Sequence, residues 1–311
     1  MQHKEAYMVA RGDTGRCIAL VLPAVLAAAV VGCSPQNARQ SDDDSQPEPP
    51  VEMMTVDSLE AFSLPLDTYR LSKQSAQVVS QAFEELFVEC MQELGFTEEP
   101  WRPSPASDPE GNEGLYGVTD KEEAQRWGYH PPQESENSQP DSAPRQVPSA
   151  AWQTAAEGSA SQTAEGKRVP DGGCRGAALR ELSEGTPNTD VELADRLAID
   201  SYQRSKEDSR VLSTFSEWSE CMRQLGFEYP APMDANNDET WWSSEAPSSR
   251  EIATAVADVE CKQQVGLINI WASVHTAYEK RAIEENAEAL ASVQEYRRIE
   301  EANALAVLER R

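Results

Sequence analysis

The sequence predicts an all-α fold of two disulfide-stapled helical repeats, and three observations carry this prediction. Apolar residues recur at three-to-four spacing, for example at Phe83, Leu86 and Cys90, which is the period of an amphipathic helix. Gly95 and Gly226 each follow such a segment, at the position where a glycine commonly ends a helix. After the N-terminal segment, no run alternates apolar and polar residues between turn signals, as strands do.

The composition excludes two classes of protein. Among 311 residues, Asp and Glu number 54 against 27 Lys and Arg, a formal net charge of −27. Such a surface repels the phosphates of nucleic acids. The mean hydropathy is −0.61 and only one stretch is continuously apolar, which excludes a polytopic membrane protein. We therefore expect no nucleic-acid partner.

The residues that could carry chemistry indicate neither a metal nor a cofactor. His3 lies in a segment that we expect to be removed, and His130 and His275 are too far apart in sequence to indicate a zinc motif. The acidic loop 234–245 has oxygen ligands at three positions of a calcium loop, but Glu239 stands where a glycine is required. No phosphate-binding, dinucleotide-binding or hydrolase motif occurs. We assign no catalytic residue, no metal and no cofactor.

The N-terminus predicts export. Residues 17–31 are uncharged and largely apolar, basic residues precede them, and small residues follow. This layout is typical of a secretory signal, and the apolar run is too short to span a bilayer as a helix. We predict a signal peptide over residues 1–32.

The end of the signal resembles the lipobox of bacterial lipoproteins. Val30, Val31 and Gly32 precede Cys33, the cysteine that would receive a diacylglyceryl group. Lipid on Cys33 predicts anchoring at the outer face of the plasma membrane; ordinary secretion with a coincidental cysteine is the alternative. Residues 33–66 are expected to form a flexible stalk, because the stretch after Cys33 is polar and Pro-containing.

The remaining cysteines and an internal repeat predict two disulfides. Without Cys17 and Cys33, four cysteines are left, which allow three connectivities. Residues 89–96 read ECMQELGF and residues 220–227 read ECMRQLGF, and one further cysteine follows each copy in a short helical segment. The repeat therefore favours the pairs Cys90–Cys174 and Cys221–Cys261.

Composition divides the mature chain further. We expect a first helical repeat over 67–130, a disordered Pro/Ser-rich linker over 131–173, and a second repeat over 174–311. A short helix is predicted within 119–129. Residues 267–308 are expected to form one long helix, which either packs along a helix over 190–225 or protrudes toward a partner as in a coiled coil.

Several fragments together resemble a family of exported, usually lipid-anchored proteins of high-GC Gram-positive (actinobacterial) bacteria without an assigned activity. The fragments are ECM-xx-LGF, YGVTD (116–120), WGYHPP (127–132), DGGC (171–174), ADVECKQQVGL (257–267) and AIEENAEAL (282–290). The resemblance covers roughly residues 68–130 and 171–295. It implies a helical module with two disulfides at the cell surface, and it supplies no catalytic residues.

Three functions follow as hypotheses. The first is a non-enzymatic lipoprotein that presents its C-terminal helix or the Trp241–Trp242 loop to an envelope partner protein. The second is a module that binds cell-wall glycan, with Trp241 and Trp242 stacking on sugar rings; packing of both indoles onto neighbouring helices is the alternative. The third is an envelope hydrolase that uses paired helix carboxylates.

Overall fold

The computed structural model of the chain describes residues 47–97, 112–132 and 148–310. Within these ranges the secondary structure is helical, which confirms the all-α fold class. The α-helices are α1 (Lys73–Glu93), α2 (Lys121–Trp127), α3 (Ala150–Glu157), α4 (Gly173–Leu182), α5 (Leu193–Glu207), α6 (Ser209–Gln224), α7 (Pro232–Asn236), α8 (Ser249–Val265), α9 (Leu267–Glu285) and α10 (Ala287–Leu308). Short 3-10 helices cover Pro65–Tyr69, Glu113–Tyr116 and Glu239–Ser243. None of the helices in these ranges combines the length and apolar character needed to cross a bilayer.

The repeated octapeptide forms the same helix end twice. Gly95 after α1 and Gly226 after α6 have φ values of 100° and 91°, a backbone region that glycine reaches without steric cost. In each copy the N–H of the final Phe donates to the carbonyl of the Met in the motif, at 2.9 and 3.0 Å. These bonds satisfy carbonyls that a helix end leaves unpaired.

The helices form two lobes, each with one disulfide. The first lobe contains α1, α3, α4 and the C-terminal half of α10, and the second lobe contains α2 and α5 to α9. Cys90–Cys174 joins α1 to α4, and Cys221–Cys261 joins α6 to α8, so both predicted disulfides are formed. Helix α10 begins against α5 and ends between α1 and α4.

The two lobes bury different kinds of core. The first lobe packs its apolar side chains in two separate clusters, one of which contains Phe87 and the other Leu182. The second lobe has one larger cluster, in which Trp218 and Trp271 are fully buried. Tyr116 and Phe215 both meet the Trp271 ring edge-on, with centroids about 5 Å away.

The predicted stalk is wrong for residues 47–66. Residues 47–70, here called the strap, lie against α9, where the N–H groups of Met54 and Val56 donate to Ser273 and Asn269, both at 2.9 Å. Leu66 in the strap is fully buried. The segment is polar on average, but it contains a few leucines. Burial of their side chains stabilises the packed strap relative to a freely moving chain. The predicted signal peptide and Cys33 lie outside the described residues.

The predicted disordered linker is also wrong for its second half. Residues 148–173 are folded, and residues 133–147 lie outside the described part of the chain. Helix α3 begins after Ser149, whose hydroxyl accepts the N–H of Trp152. Ala155 and Ala156 are buried, and the Trp152 ring meets Phe87 edge-on at 5.7 Å. The apolar face of α3 is therefore enough for this segment to fold, although its overall composition is that of a linker.

Two glycines bring α3 close to α4. Gly158 and Gly173 have φ values of 73° and 66°. A Cβ on Gly173 would collide with the carbonyl of Ala156, and one on Gly158 would collide with the backbone at Gly172. This approach holds the start of α4, and with it Cys174, in place beside α1.

The two long helices expected from sequence are each broken. Helices α5 and α6 are separated at Asp208, whose side chain caps α6 by accepting the N–H of Arg210. The segment 267–308 breaks at Asn286, between α9 and α10. Leu290 and Val307 on α10 are buried, so the protruding C-terminal helix, and the coiled coil expected with it, are wrong. The breaks let the chain fold back and bury the apolar stripe within its own lobes.

Candidate functional site

The two predicted ligand-binding tryptophans do not share a surface. Trp241 is 4% exposed, stacks on Tyr129 at 5.9 Å and donates its indole N–H to the carbonyl of Ala235 at 2.8 Å. Trp242 is 52% exposed. Because both sit on the short 3-10 helix Glu239–Ser243, neighbouring side chains point in different directions. An exposed stacking face is therefore provided by Trp242 alone.

Beside Trp242, a buried carboxylate holds a histidine and a turn. The His130 ring lies 5.0 Å from the Trp242 ring, with Nδ1 2.7 Å from Oε1 of Glu251 and Nε2 3.0 Å from the carbonyl oxygen of Ser244. The hydrogen bond to Glu251 raises the pKa of His130 above its usual range, because both ring nitrogens face acceptors. Glu251 also accepts the backbone N–H of Tyr129 at 2.9 Å. This carboxylate fixes the turn after α2.

A buried ion pair lies at the centre of the second lobe. Nζ of Lys262 is 2.9 Å from Oδ2 of Asp258, and both side chains are fully buried. Asp258 also accepts the indole N–H of Trp218 at 3.0 Å and the hydroxyl of Tyr129 at 3.3 Å. Lys262 donates to the carbonyl of Val118 at 2.8 Å. The pair therefore joins α6, α8 and the segment around α2.

A third buried cluster lies under the strap. The Tyr116 hydroxyl is 3.0 Å from Nδ1 of His275, Nε2 of His275 is 3.4 Å from Oε1 of Glu279, and Oε2 of Glu279 accepts the N–H of Leu66 at 2.8 Å. Burial lowers the pKa of His275 to about 4 and raises the pKa of Glu279 to about 7. Among the described residues, Nε2 of His275 has no hydrogen-bond partner, so the hydrogen bonds are interrupted between His275 and Glu279 and the three groups do not form a proton relay. All three side chains are buried, and Glu279 is bound to the backbone of the strap.

A groove of about 700 Å³ lies between α1 and the end of α10 and is here called the α1–α10 groove. Its apolar lining residues are Leu86, Val88, Val307 and Leu308. Its polar lining residues are Gln81, Glu84, Glu85, Glu89, Gln92 and Arg310. Arg310 already pairs with Glu181 of α4 at 2.7 Å. Among the described residues, no basic side chain forms a salt bridge with Glu84 or Glu89, so the rim is acidic over an apolar floor.

The groove was not predicted from the sequence, although the residues of one of its walls follow a recognisable pattern. The residues of α1 that line the rim recur at three-to-four spacing from position 81 to position 92, so they share one face of the helix. Cys90 lies on the opposite face, where it bonds to α4. The second wall comes from α10, more than 200 residues later, and no local pattern predicts that pairing.

The predicted absence of a bound metal and the predicted lipid site at Cys33 both stay predictions. In the part of the chain that the structure describes, no group of three or more His, Cys, Asp or Glu side chains could hold a metal ion. Cys33 lies outside that part. Comparison with protein-family models, with curated proteins and with solved structures finds no match to this chain.

Proposed function

We propose that the protein is a lipoprotein, anchored through Cys33 at the outer face of the plasma membrane, that binds an envelope partner protein without catalysing a reaction. The observation that carries this proposal is the α1–α10 groove. Apolar floors rimmed by polar residues are typical of protein–protein contact sites. The partner surface is thus a groove to which α10 contributes one wall, in place of a protruding C-terminal helix.

The setting of the groove supports a binding role. Helix α1 carries the groove on one face and Cys90 on the other, so the disulfide to α4 restrains the wall from behind. A restrained surface loses less conformational entropy when a partner binds. The apolar clusters of the first lobe, to which α1 and α10 both contribute, hold the two walls of the groove together.

The use of the buried ionisable groups also supports a non-enzymatic role. Glu251 holds the turn at Tyr129, Lys262 holds the carbonyl of Val118, and Glu279 holds the N–H of Leu66. Each carboxylate or amine is engaged with backbone and is buried. In these positions the groups serve to fix loops and the strap on the helices.

A second candidate function is glycan binding through Trp242, favoured by the exposed indole. Its chain neighbours Ser243 and Ser244 are polar. The nearby cavity of about 260 Å³ is lined by Trp241, Asp238, Thr240 and Arg250, and Trp242 is not one of its lining residues. An aromatic face beside polar groups suits a sugar ring. If this function holds, Trp242→Ala removes retention on purified cell-wall sacculi and Trp241→Phe, a change at the buried neighbour, leaves it. Equal retention of both variants and the wild type contradicts the glycan function.

Photo-crosslinking in intact cells tests the proposed function. A photoreactive amino acid is placed at Gln81 or Gln92 in the groove, or at the exposed Gln203 on the second lobe as a control. We expect both groove probes to give the same discrete adduct and the control to give none. Adducts that are identical at all three positions, or absent from both groove probes, contradict the proposal.

Anchoring is tested separately. Cys33→Ser removes the thiol that the lipid requires, so the protein is expected in the culture medium in place of the membrane fraction. Retention of this variant in the membrane fraction contradicts lipid anchoring at Cys33.

A further inference from the structure

We propose that the partner segment in the α1–α10 groove is a basic amphipathic helix; this inference rests on the proposed function and names the partner chemistry at the same site. The groove runs between two helices, and its floor is apolar at Leu86, Val88 and Leu308. A helix that lays its apolar stripe between two helices is a recurring mode of recognition.

The length of the groove fits a short helix. The lining positions of α1 extend from Gln81 to Gln92, about 17 Å at 1.5 Å per residue. That length accommodates about three helical turns, which present three or four apolar side chains along one stripe. Val88 lies midway along this wall and is half-buried, so one such side chain can pack against it.

The charge of the rim selects the polar face of the occupant. Glu84, Glu85 and Glu89 line the groove on α1. The one lining cation, Arg310, is already paired with Glu181. Lys and Arg beside the apolar stripe of a partner helix would meet Glu84 and Glu89, and opposite charges across an interface favour both association and register.

The same charges disfavour three other occupants. In the segments 98–111 and 133–147 of this chain, acidic residues outnumber basic ones. A second copy would bring an identical acidic rim against this one. Anionic lipid headgroups would meet carboxylates in place of the basic clusters that attract them. Electrostatic repulsion opposes all three, and a basic helix from another protein is the complementary choice.

Peptide binding tests the inference on the lipid-anchored protein in nanodiscs of neutral phosphatidylcholine. The probe is a fluorescent 18-residue helix with a Leu stripe and a Lys face. The controls are a scrambled peptide of the same composition and a peptide with Glu in place of Lys. We expect the striped basic helix to bind at least tenfold more tightly than either control.

Variants of the protein locate the site. Glu84→Lys with Glu89→Lys is expected to weaken binding at least tenfold. The matched pair Glu228→Lys with Glu239→Lys, at exposed positions of the second lobe, changes the net charge equally and should leave binding unchanged. Val88→Asp is also expected to weaken binding although it adds a negative charge, because it places a carboxylate on the apolar floor. Circular dichroism confirms that each variant is folded.

The contradicting results are specific. If the scrambled peptide binds equally, or both charge pairs weaken binding equally, attraction to an acidic surface is the whole effect and the inference is overturned. Binding of the wild type to vesicles of anionic lipid, or self-association that Val88→Asp abolishes, assigns the groove to a membrane or to a second copy and also overturns it. If the groove probes still give a discrete adduct in cells while the basic helix fails to bind, only the partner chemistry is wrong and the proposed function stands. Loss of both contradicts both.

Discussion

The two lobes begin from the same octapeptide and the same kind of disulfide, yet they stabilise the fold by different means. Within the described residues, the buried side chains of α1, α3 and α4 are apolar or belong to the disulfide. The second lobe buries Asp258, Lys262 and Glu279 among its aromatic residues. The shared helix end therefore determines the position of the disulfide in each lobe, but it does not determine which kinds of side chain form the core. The lobe with the apolar core is also the one that carries the groove.

Breaking the buried ion pair should have the largest effect on stability. Lys262→Met leaves the Asp258 carboxylate buried without its partner, which costs roughly 3 to 5 kcal/mol of unfolding free energy. The matched control is Lys121→Met, which breaks an exposed ion pair with Glu260 and should cost less than about 1 kcal/mol. Urea denaturation measures both. Similar losses in the two variants would contradict a special role for the buried pair.

Removing the staple of the first lobe should have the next largest effect. Cys90→Ser with Cys174→Ser frees a loop of 84 residues and is expected to cost about 2 to 4 kcal/mol. Hydrogen exchange should rise in α1, α3 and α4 and stay slow in α8 and α9, because the small apolar clusters of the first lobe depend most on the link. The corresponding change at Cys221 and Cys261 is the comparison. Equal acceleration of exchange in both lobes would contradict their separate stabilisation.

The Glu279 carboxylate should give the second lobe a pH dependence. Its pKa, ordinarily 4.5, is raised by burial to about 7, so the folded state binds more protons than the unfolded state between these values. Its contribution to stability is therefore complete below about pH 4.5 and is lost as the pH rises through 7. Glu279→Gln stays neutral, so relative to the wild type it should gain about 3 kcal/mol between pH 4.5 and pH 8.

Thermal denaturation at several pH values measures this difference. Glu228→Gln, at an exposed position, is the matched control and should show a difference that does not vary with pH. A Glu279→Gln profile parallel to that of the wild type would mean that the carboxylate does not change its protonation on unfolding.

His130 should give the smallest effect. As with Glu279, the protonated form stabilises the fold, but for His130 this form is the charged one. The Glu251 hydrogen bond raises the pKa of His130, so its contribution to stability is complete below its unfolded pKa and is lost as the pH rises through its folded pKa. His130→Gln should therefore be less stable than the wild type at pH 5.5, by roughly 1 kcal/mol. The gap should narrow by pH 9. Calorimetry at the two values measures it, and a gap that widens with pH would contradict this assignment.

The sequence predicts what local pattern and covalent chemistry determine. The octapeptide predicts both helix ends, because a glycine with positive φ followed by an apolar residue is a local device. The same repeat selects one pairing of four cysteines. The short helix after Asp120 is likewise confirmed, since its N-cap and its glycine stop are both local signals.

Prediction from the sequence fails where the structure depends on contacts between segments that are distant along the chain. The strap has polar composition, and its packing against α5, α9 and α10 explains why Leu66 is buried. The breaks at Asp208 and Asn286 follow from lobes that must close on themselves. The local sequence does not distinguish the adjacent residues Trp241 and Trp242, but the geometry of the 3-10 helix buries Trp241 and exposes Trp242. The groove depends on α10 returning to α1, which no local period encodes.

We propose that the groove of the first lobe, with its acidic rim and apolar floor, receives a partner protein. The most direct test is the yield of the adduct from a photoreactive residue at Gln92 in intact cells, compared between the otherwise wild-type protein and Val88→Asp. We predict a discrete adduct in the first protein and its loss in the second, with equal amounts of both proteins in the membrane fraction. An adduct of the same size and yield in both proteins would contradict the claim.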